Sequence, residues 1–140
     1  MRRKRRQFIA MVLAVCLLVG MLPVSVRAEG EGSFDAVGGK VTYRVDGDSI
    51  TITGCEDTVT AIEFSDTIEG MPVKTIEDRA FWGNTSLTSV AFPENLTSLG
   101  EEVFYQCGSL ENVDFSSCTS LTEIKWGEFL GSRYYIIDPA

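Results

Sequence analysis

The sequence repeats itself with a period of 23 residues, and the repeat is clearest between Ile76 and Phe115. A shift by one period superposes the apolar residues, whereas the polar residues between them change. The superposed pairs are Ile76 and Leu99, Phe81 and Phe104, Trp82 and Tyr105, Leu87 and Leu110, Val90 and Val113, and Phe92 and Phe115. Such self-similarity is typical of solenoids, in which a single unit cannot enclose a core alone. We therefore predict that the chain folds as stacked coils.

Each unit is predicted to contain a short strand, a turn, a second extended piece and a compact helical or irregular turn. Val90 and Phe92 stand two apart and face the same side of a strand, which Pro93 ends because proline lacks a ladder donor. The same pattern occurs upstream, where Val59–Phe64 has the form of Leu87–Phe92. About three coils fit the chain.

Two registers compete at the C-terminal end. In one, a unit slightly longer than the period runs from Leu110 to Tyr135 and places Phe129 in the column of Phe104. In the other, Leu121–Trp126 repeats the first half of a unit, Leu110–Phe115. The first register is preferred because it also accounts for Phe129.

Residues 1–28 have the three parts of an export signal. Five basic residues, Arg2–Arg6, precede an apolar run, Phe8–Leu22, and a small-residue site ends at Ala28. Cleavage is expected between Ala28 and Glu29. The run is shorter than the roughly 18 to 20 residues of a membrane span, which argues against an uncleaved anchor. Arg5-Arg6 leaves general secretion and twin-arginine export both open.

Loss of that segment would make the chain more acidic. It holds six of the twelve basic residues and none of the twenty acidic ones, so the formal charge would change from -8 to -14. Nucleic acids and anionic lipids are polyanions, which basic side chains must neutralise. Binding to nucleic acid or anionic lipid is therefore not expected. After cleavage, no membrane span is expected either. The length fits one domain, which we expect to be a monomer.

The segment before the repeats is predicted to be a β-hairpin that caps the first coil. Apolar residues alternate with polar ones on both sides of Asp46-Gly47, a dipeptide typical of hairpin turns. The predicted division of the chain is a signal peptide at 1–28, a flexible mature N-terminus at 29–40, the hairpin cap at 41–58, the repeats at 59–135 and a C-terminal tail at 136–140.

Residues 73–110, VKTIEDRAFWGNTSLTSVAFPENLTSLGEEVFYQCGSL, resemble the BspA-like leucine-rich-repeat family of bacterial secreted and surface proteins. The unit of that family reads roughly L-T-S-I-x-I-P-x-S-V-T-S-I-G-x-x-A-F-x-G-C-x-S-L. Cys107 occupies the family's cysteine position, and Asn84 replaces cysteine one unit earlier. The resemblance implies a leucine-rich-repeat solenoid that is mainly β with short helical turns. Its coils would have roughly 23 to 25 residues, within the range of leucine-rich repeats.

Three cysteines follow the export signal, namely Cys55, Cys107 and Cys118. An odd number leaves at least one without an intramolecular partner. A disulfide between Cys107 and Cys118 is one interpretation for an oxidising compartment. Free cysteine also packs as a small hydrophobe, and buried thiols are the favoured interpretation.

No histidine occurs in the sequence, which removes the usual general base and the commonest zinc ligand. No C-x-x-C pair, phosphate-binding loop or G-x-S-x-G is present. We expect no cofactor and no metal, and we predict that the chain is not an enzyme. The enzymatic alternative is a carboxylate pair for glycan hydrolysis. Its candidates, Glu101, Glu102, Glu111 and Asp114, fall at variable polar positions, where a solvated face is expected.

The outward positions of the predicted strands form the candidate ligand face, because repeat proteins bind partners on such rows. These positions are Ala61, Glu63, Ser89, Ala91, Asn112 and Asp114. Four further aromatic residues follow the core pattern less closely and are candidate exposed ligand contacts, namely Trp82, Tyr105, Trp126 and Tyr134.

The resemblance implies a non-enzymatic secreted or cell-surface protein that binds an extracellular protein or a glycan, as in adhesion. The alternative is a structural or accessory domain of a larger surface assembly, with no ligand of its own.

Overall fold

The computed structural model describes residues 30–122, 124 and 135–137. Its regular elements are β-strands, and these residues contain no helix that could cross a membrane. The strands are β1 Gly30–Ala36, β2 Gly39–Asp46, β3 Ser49–Cys55, β4 Ala61–Glu63, β5 Thr67–Ile68, β6 Met71–Ile76, β7 Ser89–Ala91, β8 Ser98–Leu99, β9 Asn112–Asp114 and β10 Tyr135–Ile137.

One sheet stacks the first strand of each coil in parallel, in the order β10-β9-β7-β4. Ile62 lies opposite Val90, and Val90 lies opposite Val113. The step from β7 to β9 is therefore one period, whereas the step from β4 to β7 is longer because it includes the β5–β6 hairpin. Both steps are those that the sequence comparison predicts, because only this register keeps the buried central residue of each strand in one column.

A second parallel ladder holds the other strand of each coil. Thr75-Ile76 of β6 pairs with Ser98-Leu99 of β8, and Ile52 of β3 lies opposite Ile76 on the other side. The N-terminal strands thus join the repeats through main-chain hydrogen bonds. The predicted solenoid with an N-terminal β cap is confirmed.

The C-terminal register differs from both predicted ones. Ile136 of β10 lies opposite Val113 of β9, which is again a step of one period. The longer unit would instead have put Asp138 opposite Val113, where a carboxylate would lose its hydration in the buried column. The preferred register is therefore wrong by two positions.

The shorter alternative is wrong too. It would have placed Ile124 in the buried column next to Val113, whereas β10 occupies that place and Ile124 is 45% exposed. Residues 136 and 137 thus belong to a strand rather than to a tail. Phe129, on which the preferred register depended, lies outside the described residues.

The N-terminal segment at 29–40 was predicted to be flexible, and this is wrong. Residues 30–36 form β1, which pairs antiparallel with β2 from Gly30 opposite Val45 to Ala36 opposite Gly39. Phe34 packs edge-on against Phe64 with ring centroids 5.9 Å apart. Pairing satisfies the otherwise open edge of β2, and the packed ring favours an ordered strand. The cap is therefore a three-stranded meander instead of a hairpin.

The outer segments of the coils are hydrogen-bonded turns, whereas short helical turns were predicted. Arg79 and Gly83 have φ angles of 61° and 72°, and Glu102 and Gln106, one period later, have 55° and 59°. Left-handed residues cannot continue a right-handed helix. Two such residues four positions apart restrict each segment to isolated turns.

Replacing Gln106 by glycine is expected to stabilise the fold by about 1 kcal/mol, because glycine adopts a positive φ without the Cβ penalty. Gly83 is the matched control: a Cβ there would meet no atom within 4 Å, so Gly83→Ala should cost about 1 kcal/mol for conformational reasons alone. Urea unfolding followed by circular dichroism measures both. Destabilisation by Gln106→Gly would contradict the repeated turn geometry.

Buried phenylalanines form two columns between the sheets. Phe64, Phe92 and Phe115 stack along the solenoid, with centroid distances of 6.1 and 4.7 Å. Phe81 and Phe104 form the second column at 5.5 Å. Phe92 also meets Phe104 edge-on at 5.9 Å, which joins the columns. Each coil therefore covers the core of the next.

Candidate functional site

The six residues of the predicted ligand face line one cleft, which we call the strand cleft. Its floor is the outer side of β4, β7 and β9, and its volume is about 470 Å³. The central residue of each strand is buried beneath it, as Val90 is in β7. The structure thus brings together Ala61, Glu63, Ser89, Ala91, Asn112 and Asp114. That they contact a ligand stays a prediction.

One wall of the strand cleft comes from residues 34–37, which the sequence prediction missed. The backbone of Val37 fixes this wall to β4, since its N–H donates to the Ala61 carbonyl at 3.2 Å and its carbonyl accepts from Thr60 N–H at 2.8 Å. The Val37 side chain is 64% exposed. The alternation of Phe34 and Ala36 with polar residues, followed by two glycines, was the signal for a strand and turn here.

The strand cleft is acidic. Three carboxylates line it, those of Asp35, Glu63 and Asp114, and no lysine or arginine does among the described residues. Lys40 pairs with Asp35 at 2.9 Å. Hydrogen bonds from the side chain and the backbone N–H of Ser116 hold the pKa of Asp114 below its ordinary value. Asp114 therefore stays ionised at neutral pH.

The candidate aromatic contacts lie apart from the strand cleft. Trp82 is 50% exposed, and its ring stacks on that of the half-buried Tyr105, with centroids 6.4 Å apart and planes 8° from parallel. This stack follows the repeat period. Trp126 and Tyr134 lie outside the described residues, as do the expected cleavage-site residues Ala28 and Glu29.

The three cysteines in the described residues are free. The thiols of Cys107 and Cys118 are buried and donate to the carbonyls of Phe81 and Pro93 at 3.1 and 3.4 Å. Burial raises the pKa of each to about 11. The interpretation as buried thiols is confirmed for this pair, and such thiols are poor nucleophiles at neutral pH.

Asn84 has a structural role that sequence reasoning missed. It is 3% exposed and stands one period before Cys107. Its Nδ2 donates to Cys55 Sγ and to the Glu56 carbonyl, both at 3.3 Å. Its Oδ1 accepts from the backbone N–H groups of Ser86 and Leu87 at 2.9 and 3.0 Å. The substitution of the family's cysteine was the available signal, because a buried amide must find such partners.

Four carboxylates were considered for glycan hydrolysis, those of Glu101, Glu102, Glu111 and Asp114. Of the four, only Asp114 lines the strand cleft, and Glu102 pairs with Arg79 at 2.7 Å on the outer turn. Within the described part of the chain, no group of histidine, cysteine or acidic residues could hold a metal ion.

Two solved structures resemble the chain. The T. pallidum leucine-rich repeat protein TpLRR is 25% identical, with a TM-score of 0.49, 71% of this chain covered and 52% of that chain covered. The chain thus spans about half the length of TpLRR. A leucine-rich repeat protein from Bacteroides capillosus ATCC 29799 is 17% identical, with a TM-score of 0.53 and coverage of 76% and 99%. This second likeness shows a shared fold.

No curated protein matches the chain. The model of the BspA type Leucine rich repeat region matches residues 53–136 in six copies, which is more than half of the sequence. The chain therefore belongs to the BspA-type leucine-rich repeat family.

Proposed function

We propose that the chain is a secreted or cell-surface binding protein whose strand cleft docks an extracellular protein or glycan, as in adhesion. The observation that carries this proposal is the convergence of six outward side chains from three neighbouring strands of one sheet in one cleft. Their strands are fixed by the buried residues beneath them, so the outward positions are free to vary with the partner.

Three further considerations support the proposal. Leucine-rich repeats form protein-interaction domains, and the family is generally non-enzymatic. The export signal expected at 1–28 and the surface association typical of the family agree with an extracytoplasmic site of action. The absence of histidine from the sequence argues in the same direction against hydrolysis.

The test is binding of the purified chain to a panel of extracellular-matrix proteins and glycans, measured by biolayer interferometry. We expect at least one member to bind, and Ser89→Arg to weaken that binding by about tenfold or more, since the new side chain fills the strand cleft. The matched control is Ser98→Arg, which places the same residue on β8 of the other sheet and should bind as the unaltered chain does.

Two outcomes would contradict the proposal. If no panel member binds, the accessory-domain alternative takes its place. If Ser89→Arg and Ser98→Arg weaken binding equally, the ligand docks outside the strand cleft.

A further inference from the structure

One row of side chains in the strand cleft has a defined order of charge. In the parallel register, Glu63 of β4 lies opposite Ala91 of β7, and Ala91 lies opposite Asp114 of β9. Neighbouring strands are about 4.8 Å apart, so the two acidic residues flank the alanine with about 10 Å between their Cα atoms. The row is therefore carboxylate, methyl, carboxylate.

The middle of this row is a recess, because alanine is the smallest side chain that a strand can place there. Its surroundings are partly apolar, with Ala61 on the neighbouring strand and the exposed Val37 on the wall. An aliphatic chain that enters the recess would pack on these methyl groups. A cationic head at its end would come within reach of both flanking carboxylates.

The charge of the recess is not neutralised from within. Glu63 forms no ion pair with any residue that the structure describes. Asp114 is held ionised by Ser116, and Lys40 is paired with Asp35 of the wall at 2.9 Å. A ligand with positive charge would thus gain attraction without displacing an internal partner.

The geometry favours a cationic side chain over a bound metal ion as the ligand of the recess. Ca²⁺ needs six to eight oxygen ligands at about 2.3 to 2.6 Å, whereas these carboxylates are separated by a whole strand. Polyanions are repelled by the same charges. Lysine and arginine combine an aliphatic stem with a cationic head and fit both features of the recess.

We propose that the strand cleft accepts a lysine or arginine side chain from an extended segment of another protein. The stem lies over Ala91, and the cationic head lies between Glu63 and Asp114. This inference rests on the proposed function and narrows its ligand to a protein with an exposed lysine or arginine in an extended segment.

The probe is the heptapeptide Ser-Val-Lys-Val-Lys-Val-Ser, blocked at both ends, titrated into the ¹⁵N-labelled chain and followed by NMR. We expect shift changes at the amides of β4, β7 and β9, and affinity that falls as NaCl rises, because salt screens exposed charges beyond about 10 Å at 0.1 M. The same peptide with glutamate in place of lysine should cause none. Spermidine is a third arm, which carries charge without a peptide backbone.

The variant that tests the row is Glu63→Gln combined with Asp114→Asn. The asparagine keeps an Oδ1 that accepts from Ser116 N–H, so the fold is maintained. We expect about a tenfold loss of peptide affinity. The matched control is Glu94→Gln combined with Asp66→Asn, which makes the same charge change outside the strand cleft. There too the acidic side chain accepts a backbone hydrogen bond, because Glu94 N–H donates to Asp66 Oδ1 at 3.0 Å. The control variant should lower peptide affinity by less than about threefold, because salt screens exposed charges at a distance.

Several outcomes would overturn the inference: equal binding of the glutamate peptide, equal losses in the two double variants, or shift changes confined to residues outside β4, β7, β9 and the wall at residues 34–37. If spermidine bound as tightly as the lysine peptide, the site would recognise charge alone. The inference that a protein segment occupies the strand cleft would then be wrong. A panel ligand that is lost in Ser89→Arg but kept in Glu63→Gln with Asp114→Asn would overturn this inference and leave the proposed function intact.

Discussion

Replacing Phe104 by alanine is expected to lower the free energy of unfolding by about 4 kcal/mol, a large share of the roughly 5 to 15 kcal/mol that holds a domain folded. Phe104 is fully buried and touches rings of both phenylalanine columns, Phe81 at 5.5 Å and Phe92 at 5.9 Å. Its loss leaves a cavity where the two columns meet. Urea unfolding followed by far-ultraviolet circular dichroism measures the change.

Two variants calibrate this result. Phe104→Leu keeps most of the volume and should cost less than half as much. Phe34→Ala makes the same chemical change in β1, at a half-buried ring that contacts Phe64, and should also cost less than half as much. If Phe34→Ala proved as damaging as Phe104→Ala, the stacked columns would not be the centre of stability.

The second large effect is expected at Asn84, where alanine should cost about 3 kcal/mol. The substitution leaves the N–H groups of Ser86 and Leu87 without their acceptor and removes the donor to the Glu56 carbonyl. The same urea experiment measures the loss. A cost below about 1 kcal/mol would show that water replaces the amide and that the contacts do not hold the coil.

Asn84→Asp tests the donor and the acceptor of that amide separately, because it keeps the acceptor oxygen and removes the donor N–H. The carboxylate keeps the acceptor for Ser86 and Leu87, but an ionised oxygen then faces the Glu56 carbonyl with no hydrogen to donate. Burial and this contact should raise the pKa of the new carboxyl above its unfolded value. Protonation favours the folded state, so the deficit relative to the unaltered chain should shrink as the pH falls from about 7 to about 4. A deficit that does not change with pH would contradict this account.

The repeat could be derived from the sequence because each column is made of residues that have few alternatives. Val90 and Val113 align in the sequence and lie opposite each other in the sheet, and Phe81 and Phe104 do the same in the core. Such residues are buried, so a shift of register by one residue would expose them. The same reasoning located the outward residues beside them, which line the strand cleft.

What the sequence did not reveal depends on contacts between distant segments. β1 contains the sequence Gly-Glu-Gly-Ser, whose strand propensity is low, and its order comes from pairing with β2. The wall of the strand cleft was missed for the same reason. The turns departed from expectation because the left-handed φ of Glu102 and Gln106 is imposed by the stack on residues that do not themselves prefer it.

The parallel ladder that joins β3, β6 and β8 allows the fold to be lengthened by further repeat units. Duplicating one repeat unit would insert one strand into each sheet and lengthen the strand cleft by about 4.8 Å, while the N-terminal meander and the wall at Val37 stayed as they are. Each added unit would contribute two new outward residues next to the old ones. Duplication of units can therefore change the length of the strand cleft, and substitution at the outward positions can change the order of charges along it.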